Sequence, residues 1–106
     1  MQIVVFITAV NKRQARKIAN SLVKDKLAAC VNIIDKIESI YWWRGKVEKA
    51  KEALLIVKSR QDKLSKVIKR VKAIHSYEVP EIIALPITGG LVSYLRWIDD
   101  SLRQPT

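Results

Sequence analysis

The sequence predicts an α+β fold: a ferredoxin-like βαββαβ sandwich with an extra C-terminal helix and a long hairpin between its second and third strands. Three observations carry this. Strand-like and helix-like periodicities alternate in the order βαββαβα along 106 residues. The first and third strands are continuously apolar, as strands at the centre of a sheet are, and the fourth carries a proline. Two right-handed β-α-β crossovers around a central hairpin then give the strand order 4-1-3-2, with both main helices on one face. The length fits a single domain, residues 1–106.

Residues 2–8 (QIVVFIT) are β-branched and apolar throughout, which predicts the first strand. Asn11 is a good N-cap, and Ala15, Ile18, Ala19, Leu22 and Val23 recur at helical spacing, predicting an amphipathic helix over 12–26. From Cys30 the pattern turns strand-like and stays so through Trp43. Arg44-Gly45 is the one turn signal, and 46–58 returns as a third strand ending in Ala53-Leu54-Leu55-Ile56-Val57. Ser59 with Asp62 three residues on resembles a capping box. Behind it Leu64, Val67, Ile68, Val71 and Ile74 form the stripe of a second helix over 61–74. Pro80 blocks helical continuation, and 81–87 is a short strand whose Pro86 demotes it to a sheet edge. Gly89-Gly90 closes it, and Leu91, Leu95, Ile98 and Leu102 line one side of a last helix.

A two-residue turn at Arg44-Gly45 sets Trp42 opposite Val47 and Trp43 opposite Lys46, with pairing continuing back to Val31 opposite Lys58. Strands of about 13 residues reach roughly 43 Å, while the covering helices span only about 21–23 Å. Roughly half the ribbon therefore overhangs its own domain, with Tyr41, Trp42 and Trp43 near the tip. An isolated ribbon bearing exposed aromatics is marginal in water. This predicts packing on another copy, in preference to a hairpin folded back over its own aromatics.

Composition closes other classes. The longest apolar runs, such as Ile3–Ile7, are five residues, far below the ~20 needed to span a bilayer, so no membrane is expected as a partner. Met1 leads almost directly into a strand without a basic leader, and the lone Cys30 has no internal disulfide partner; together these predict a cytoplasmic protein. The formal net charge is +10, and eleven of the 20 Lys and Arg residues fall in the two predicted helices. A solvated helix face accounts for that as well as an anionic partner does.

Five ordered blocks carry a family resemblance: Ala28–Asn32, Ser39–Lys46, Leu54–Ser59, His75–Ile83 and Tyr94–Ile98. Over almost the whole chain they resemble the CutA divalent-ion tolerance proteins. Ser76 departs from the pattern, because the family usually has proline between the His and the Tyr of the fourth block; this loosens the turn into strand 4. The resemblance implies a compact homotrimer of ferredoxin-like subunits, PII-like in architecture. It also implies a cytoplasmic role in tolerance of copper and other divalent ions, with no established catalytic reaction.

His75 and Cys30 are the single histidine and cysteine, and imidazole and thiolate are natural ligands for copper or zinc. One of each cannot close a four-ligand site, so a metal centre must recruit Glu78 and Glu81 or donors from symmetry-related chains. Each has a plain alternative: Cys30 as a small core residue, His75 as a cation at a helix C-terminus. Trp42, Lys58, Tyr77, Glu81 and Trp97 are candidates for a ligand cleft between subunits, and Tyr41 and Trp43 for the trimer hairpin. Packing and hydrogen bonding at the interface is their competing role. No G-x-S-x-G elbow, Walker motif or dinucleotide glycine pattern is present, so neither an enzyme nor an organic cofactor is expected. The alternative function is a nucleic-acid-binding ferredoxin-like domain. Its central strands would offer only Phe6 for stacking, and no specific nucleic acid is expected.

Overall fold

In a computed structural model describing residues 1–103, the chain runs β1 (Gln2–Ala9), α1 (Lys12–Lys24), β2 (Cys30–Trp43), β3 (Lys46–Arg60), α2 (Leu64–Ile74), β4 (Ile82–Pro86) and α3 (Val92–Ser101). A 3-10 turn, Gln61–Lys63, leads into α2. One antiparallel sheet has the order β2-β3-β1-β4, the expected 4-1-3-2. Alternation along the central strands sends Ile3, Val5 and Ile7 of β1 and Ala53, Leu55 and Val57 of β3 to one face. There they form the core with Ala15, Ile18 and Leu22 of α1 and Val67 and Val71 of α2. The opposite face carries Val4, Phe6, Leu54 and Ile56. α3 crosses only its far end, where Asp99 accepts from Gln2 Nε2 (3.1 Å) and pairs with Arg60 Nη1 (3.0 Å).

Asn11 caps α1 as its sequence predicts, its Oδ1 accepting from the Gln14 N–H at 2.9 Å. The helix stops at Lys24 rather than residue 26, because Lys26 adopts a left-handed φ of 58° and the N–H groups of Leu27 and Ala28 both turn back to the Leu22 carbonyl. The capping box is not formed. Ser59 lies inside β3, fully buried opposite Ile3, and its hydroxyl donates to the Leu27 carbonyl at 2.7 Å. Asp62 instead pairs with Arg60 Nε at 3.0 Å. An S-x-x-D spacing suits a helix start, but here β3 claims the serine for two residues more than the apolar run suggested.

The hairpin turn is the two-residue type I′ geometry, with φ of 51° at Arg44 and 78° at Gly45. Trp42 faces Val47 and Trp43 faces Lys46, as expected. The proximal register is corrected by one: Val31 pairs with Val57, and Cys30 takes Lys58. A β-bulge between Ile34 and Ile37, with Lys36 at φ 59°, supplies the extra residue. The ribbon extends the molecule to 47 Å against 27 and 22 Å in the other directions.

Candidate functional site

The turn fixes what the distal ribbon offers, and the bulge lets the proximal part of β2 take the opposite parity. Up to Ile34, the even-numbered residues of β2 share a face with Leu54 and Ile56; past Lys36 the odd-numbered ones do, so Ser39, Tyr41 and Trp43 fall on the Glu52 side. The segment between α2 and β4 forms the facing wall. Between them lies a cleft of about 700 Å³, lined by Tyr41 and Trp43 of the ribbon, Glu52 of β3, and Tyr77, Glu78 and Glu81 of the wall. Thr8, Ser39 and Ser76 contribute hydroxyls, and Ile40 and Val79 apolar surface. The ribbon overhangs its domain as expected and does not fold back over its aromatics: one side roofs the cleft, while Trp42 on the other is 74% exposed.

Glu52 sits at the floor, 7% exposed, and Oε2 accepts from the Tyr77 hydroxyl at 2.7 Å. Burial first, and then this acceptor and its charge, push the Tyr77 phenol well above the ordinary tyrosine range, so it stays a donor. At the mouth, Arg44 lies 3.5 Å from Glu78 and 5.4 Å above the Trp43 ring.

His75 caps the C-terminus of α2 and holds the wall in place. Nδ1 faces the Tyr77 N–H at 3.0 Å and Nε2 faces the Thr8 carbonyl at 2.7 Å. The N–H can only donate and the carbonyl only accept, which defines the neutral ring with its proton on Nε2. Both nitrogens are therefore engaged within the chain, and the cationic helix-end role is not the one adopted. Ser76 compensates for the missing proline: its hydroxyl accepts from Gln14 Nε2 at 2.8 Å, tying the wall to the first turn of α1.

The candidate residues separate into two groups. Tyr41, Trp43, Tyr77, Glu78 and Glu81 meet at the cleft. Cys30 and Lys58 pair across β2 and β3 at the other end of the sheet, where Lys58 Nζ donates to Asn32 Oδ1. Trp97 packs against Tyr94 on α3, ring centroids 5.5 Å apart, and burial with a contribution from Cys30 raises the Tyr94 phenol. Trp42, Lys58 and Trp97 thus do not join Tyr77 within one chain. Nor do His75 and Cys30 converge: Lys58 also pairs with Val4, four residues along β1 from the Thr8 carbonyl that His75 binds. Among the described residues no group of three His, Cys, Asp or Glu side chains is arranged to hold a metal ion. One subunit does not fit a metal centre. Phe6 is the one aromatic residue on the central strands β1 and β3, and the sheet's other aromatics lie on the distal part of β2.

Glu52 is the functional candidate that sequence reading missed. It holds the same alternating phase as Leu54 and Ile56, but the charged run Lys49-Ala50-Lys51-Glu52 masks that phase in the sequence.

The chain is thus a ferredoxin-like sandwich whose aromatic ribbon roofs an acidic cleft. The family profile described as CutA1 divalent ion tolerance protein matches residues 3–101, and the chain belongs to that family. It is 51% identical over 96% of its length to "Protein CutA 1, chloroplastic" of Oryza sativa, and 48% identical over 92% to "Divalent-cation tolerance protein CutA" of Archaeoglobus fulgidus. It spans 58% of the rice protein and 95% of the archaeal one. The solved structure of the periplasmic divalent cation tolerance protein CutA from A. fulgidus superposes with a TM-score of 0.94 at 47% identity, covering 97% of this chain and 100% of that one. CutA1 from O. sativa gives 0.93 at 50% identity, covering 98% and 95%.

Proposed function

We propose that this protein is a non-enzymatic homotrimer that acts in tolerance of divalent cations, copper included, by binding a metal ion or small ligand at its subunit junctions in the cytoplasm. The observation that carries the reading is the uncovered second face of the sheet. Val4, Phe6, Leu54 and Ile56 are only half-buried, and Ile34, Ile83 and Leu85 on the flanking strands are 46–53% exposed. Such a continuous apolar face belongs to an interface rather than to a free monomer surface. The cleft borders it, because Glu52, Tyr41 and Trp43 share the side of Leu54, so association through this face brings the cleft to a junction.

A metal centre then requires donors from more than one subunit, with Glu78 and Glu81 as exposed carboxylates and Cys30 as a soft donor. The non-enzymatic reading rests on His75, the single histidine, whose two nitrogens face Thr8 and Tyr77 rather than a nucleophile. The cytoplasmic reading rests on the single cysteine; no described helix is long and apolar enough to cross a membrane.

Sedimentation of the wild type and of Ile83→Asp, followed by copper titration of the assembled protein, tests this. The expected result is a trimer that the charge dissociates, with fewer than one tight ion per chain. A monomeric wild type, or an Ile83→Asp variant that still assembles, overturns the interface. Absence of copper binding removes the metal ion as ligand.

A further inference from the structure

We infer that the cleft beneath the ribbon is a site for a small organic ammonium ion, an amine carried on an apolar body. This deepens the ligand-binding reading above by naming the ligand class, and it rests on that reading only for the junction location. Charge is the first argument. Lys and Arg outnumber Asp and Glu 20 to 10 in the chain, yet among the described residues the cleft is lined by three glutamates and no lysine, arginine or histidine, with Arg44 beside Glu78 at its mouth. Against a strongly basic surface, the cleft concentrates negative charge where a cation is drawn in.

The second argument is Glu52. It is more than nine-tenths buried, and among the described residues no cation pairs with it. The Tyr77 hydroxyl serves Oε2, while Oε1 accepts no hydrogen bond from described residues. No enclosed side-chain oxygen among the described residues lacks a partner, so Oε1 of this largely buried carboxylate opens onto the cleft of about 700 Å³, a size suited to a small organic molecule. An ammonium group against Oε1 supplies a counter-charge and a donor to the one Glu52 oxygen that no protein group engages.

The third argument concerns the walls. Trp43, Tyr41 and Tyr77 present aromatic surface, the preferred neighbour of an organic cation, and Ile40 and Val79 accept its apolar part. The protein's own Arg44 already holds a cation at the mouth, against both Trp43 and Glu78. A bare metal ion fits less well. It requires carboxylates converging within roughly 2–2.6 Å of one point, and no described cluster does so.

Calorimetry of the assembled protein with phenethylamine, 2-phenylethanol and phenylacetate at about 150 mM salt tests the inference. The amine is expected to bind at least about tenfold more tightly than the alcohol, a difference of ~1.4 kcal/mol, and the acid not to bind. Glu52→Gln keeps an acceptor for Tyr77 and should erase most of the preference for the amine. Glu81→Gln, at an exposed position, should reduce it and serves if the first variant fails to fold. Equal binding of all three compounds, binding of none, or an undiminished preference in the folded variants overturns the assignment. Sedimentation of the same samples separates the two readings: a trimer without amine binding defeats this one alone, and a monomer that binds the amine defeats the trimer alone.

Discussion

The two faces of the sheet are written by the same strands, one residue out of phase, and their fates differ. Ile3, Val5 and Ile7 with Leu55 and Val57 are sealed by α1 and α2 to 1% exposure or less. Val4, Phe6, Leu54 and Ile56 are as apolar, yet no helix covers them beyond the corner held by α3. Hydrophobicity alone does not distinguish the faces; the supply of covering helices does. The first face is completed by folding, and the second waits for association.

Neighbouring substitutions should therefore fail differently. Leu55→Ala should cost about 2–5 kcal/mol by opening a core cavity. Chemical denaturation would show this as a lower midpoint, with assembly preserved below it. Ile56→Ala, one residue along, should weaken the oligomer more than the fold, and identical behaviour of the two would break the distinction. Replacing Trp42 and Trp43 with Ser removes two aromatic anchors of the ribbon, each worth ~2 kcal/mol or more if buried by a partner. Sedimentation should then show monomers, and an intact trimer of unchanged thermal stability would show that the ribbon is not part of the interface.

Tyr77→Phe should cost about 1–3 kcal/mol, because it strips Glu52 of its donor. It also has a pH signature. The folded-state phenol sits above its unfolded value of about 10, so the protonated form is favoured by folding. Stability is fully present below that pH and declines as pH rises through the window up to the folded value. Melting profiles of the wild type should fall there, and the part due to Tyr77 should be absent from the variant. The smallest effect is expected at Asn11→Ala, which removes the α1 cap at about 1 kcal/mol and should leave the oligomer unchanged.

Strand order and the central position of β1 and β3 were legible in the sequence, because continuous apolarity and an edge proline are direct consequences of the number of neighbours a strand has. The turn at Arg44-Gly45 was legible from a glycine in the only polar break. The bulge was not, since Lys36 adopts its left-handed φ without a glycine or asparagine to announce it. Ser59 misled for a related reason: the same serine that can start a helix can end a strand, and a buried carbonyl at Leu27 decides. Half of the cleft was legible as aromatic and acidic residue types. Glu52 was not, because in Lys49-Ala50-Lys51-Glu52 it looks like one more charge of a solvated ribbon, until the Tyr77 hydroxyl arrives from 25 positions away.

The bulge also makes the ribbon a matter of parity. β3 keeps the same phase from Lys58 to Lys46, while β2 changes phase once, at Asp35-Lys36. Removing one residue there, with the turn intact, would leave every cross-strand pair in place: Ile34 stays opposite Leu54, and Tyr41 and Trp43 stay on the Glu52 side, opposite Glu48 and Lys46. What would be lost is the local kink and added twist that the extra residue gives the ribbon, so the roof would keep its residues and change only its tilt. The bulge is thus a place where the ribbon can gain or lose a residue while the turn and the proximal strand both keep their partners.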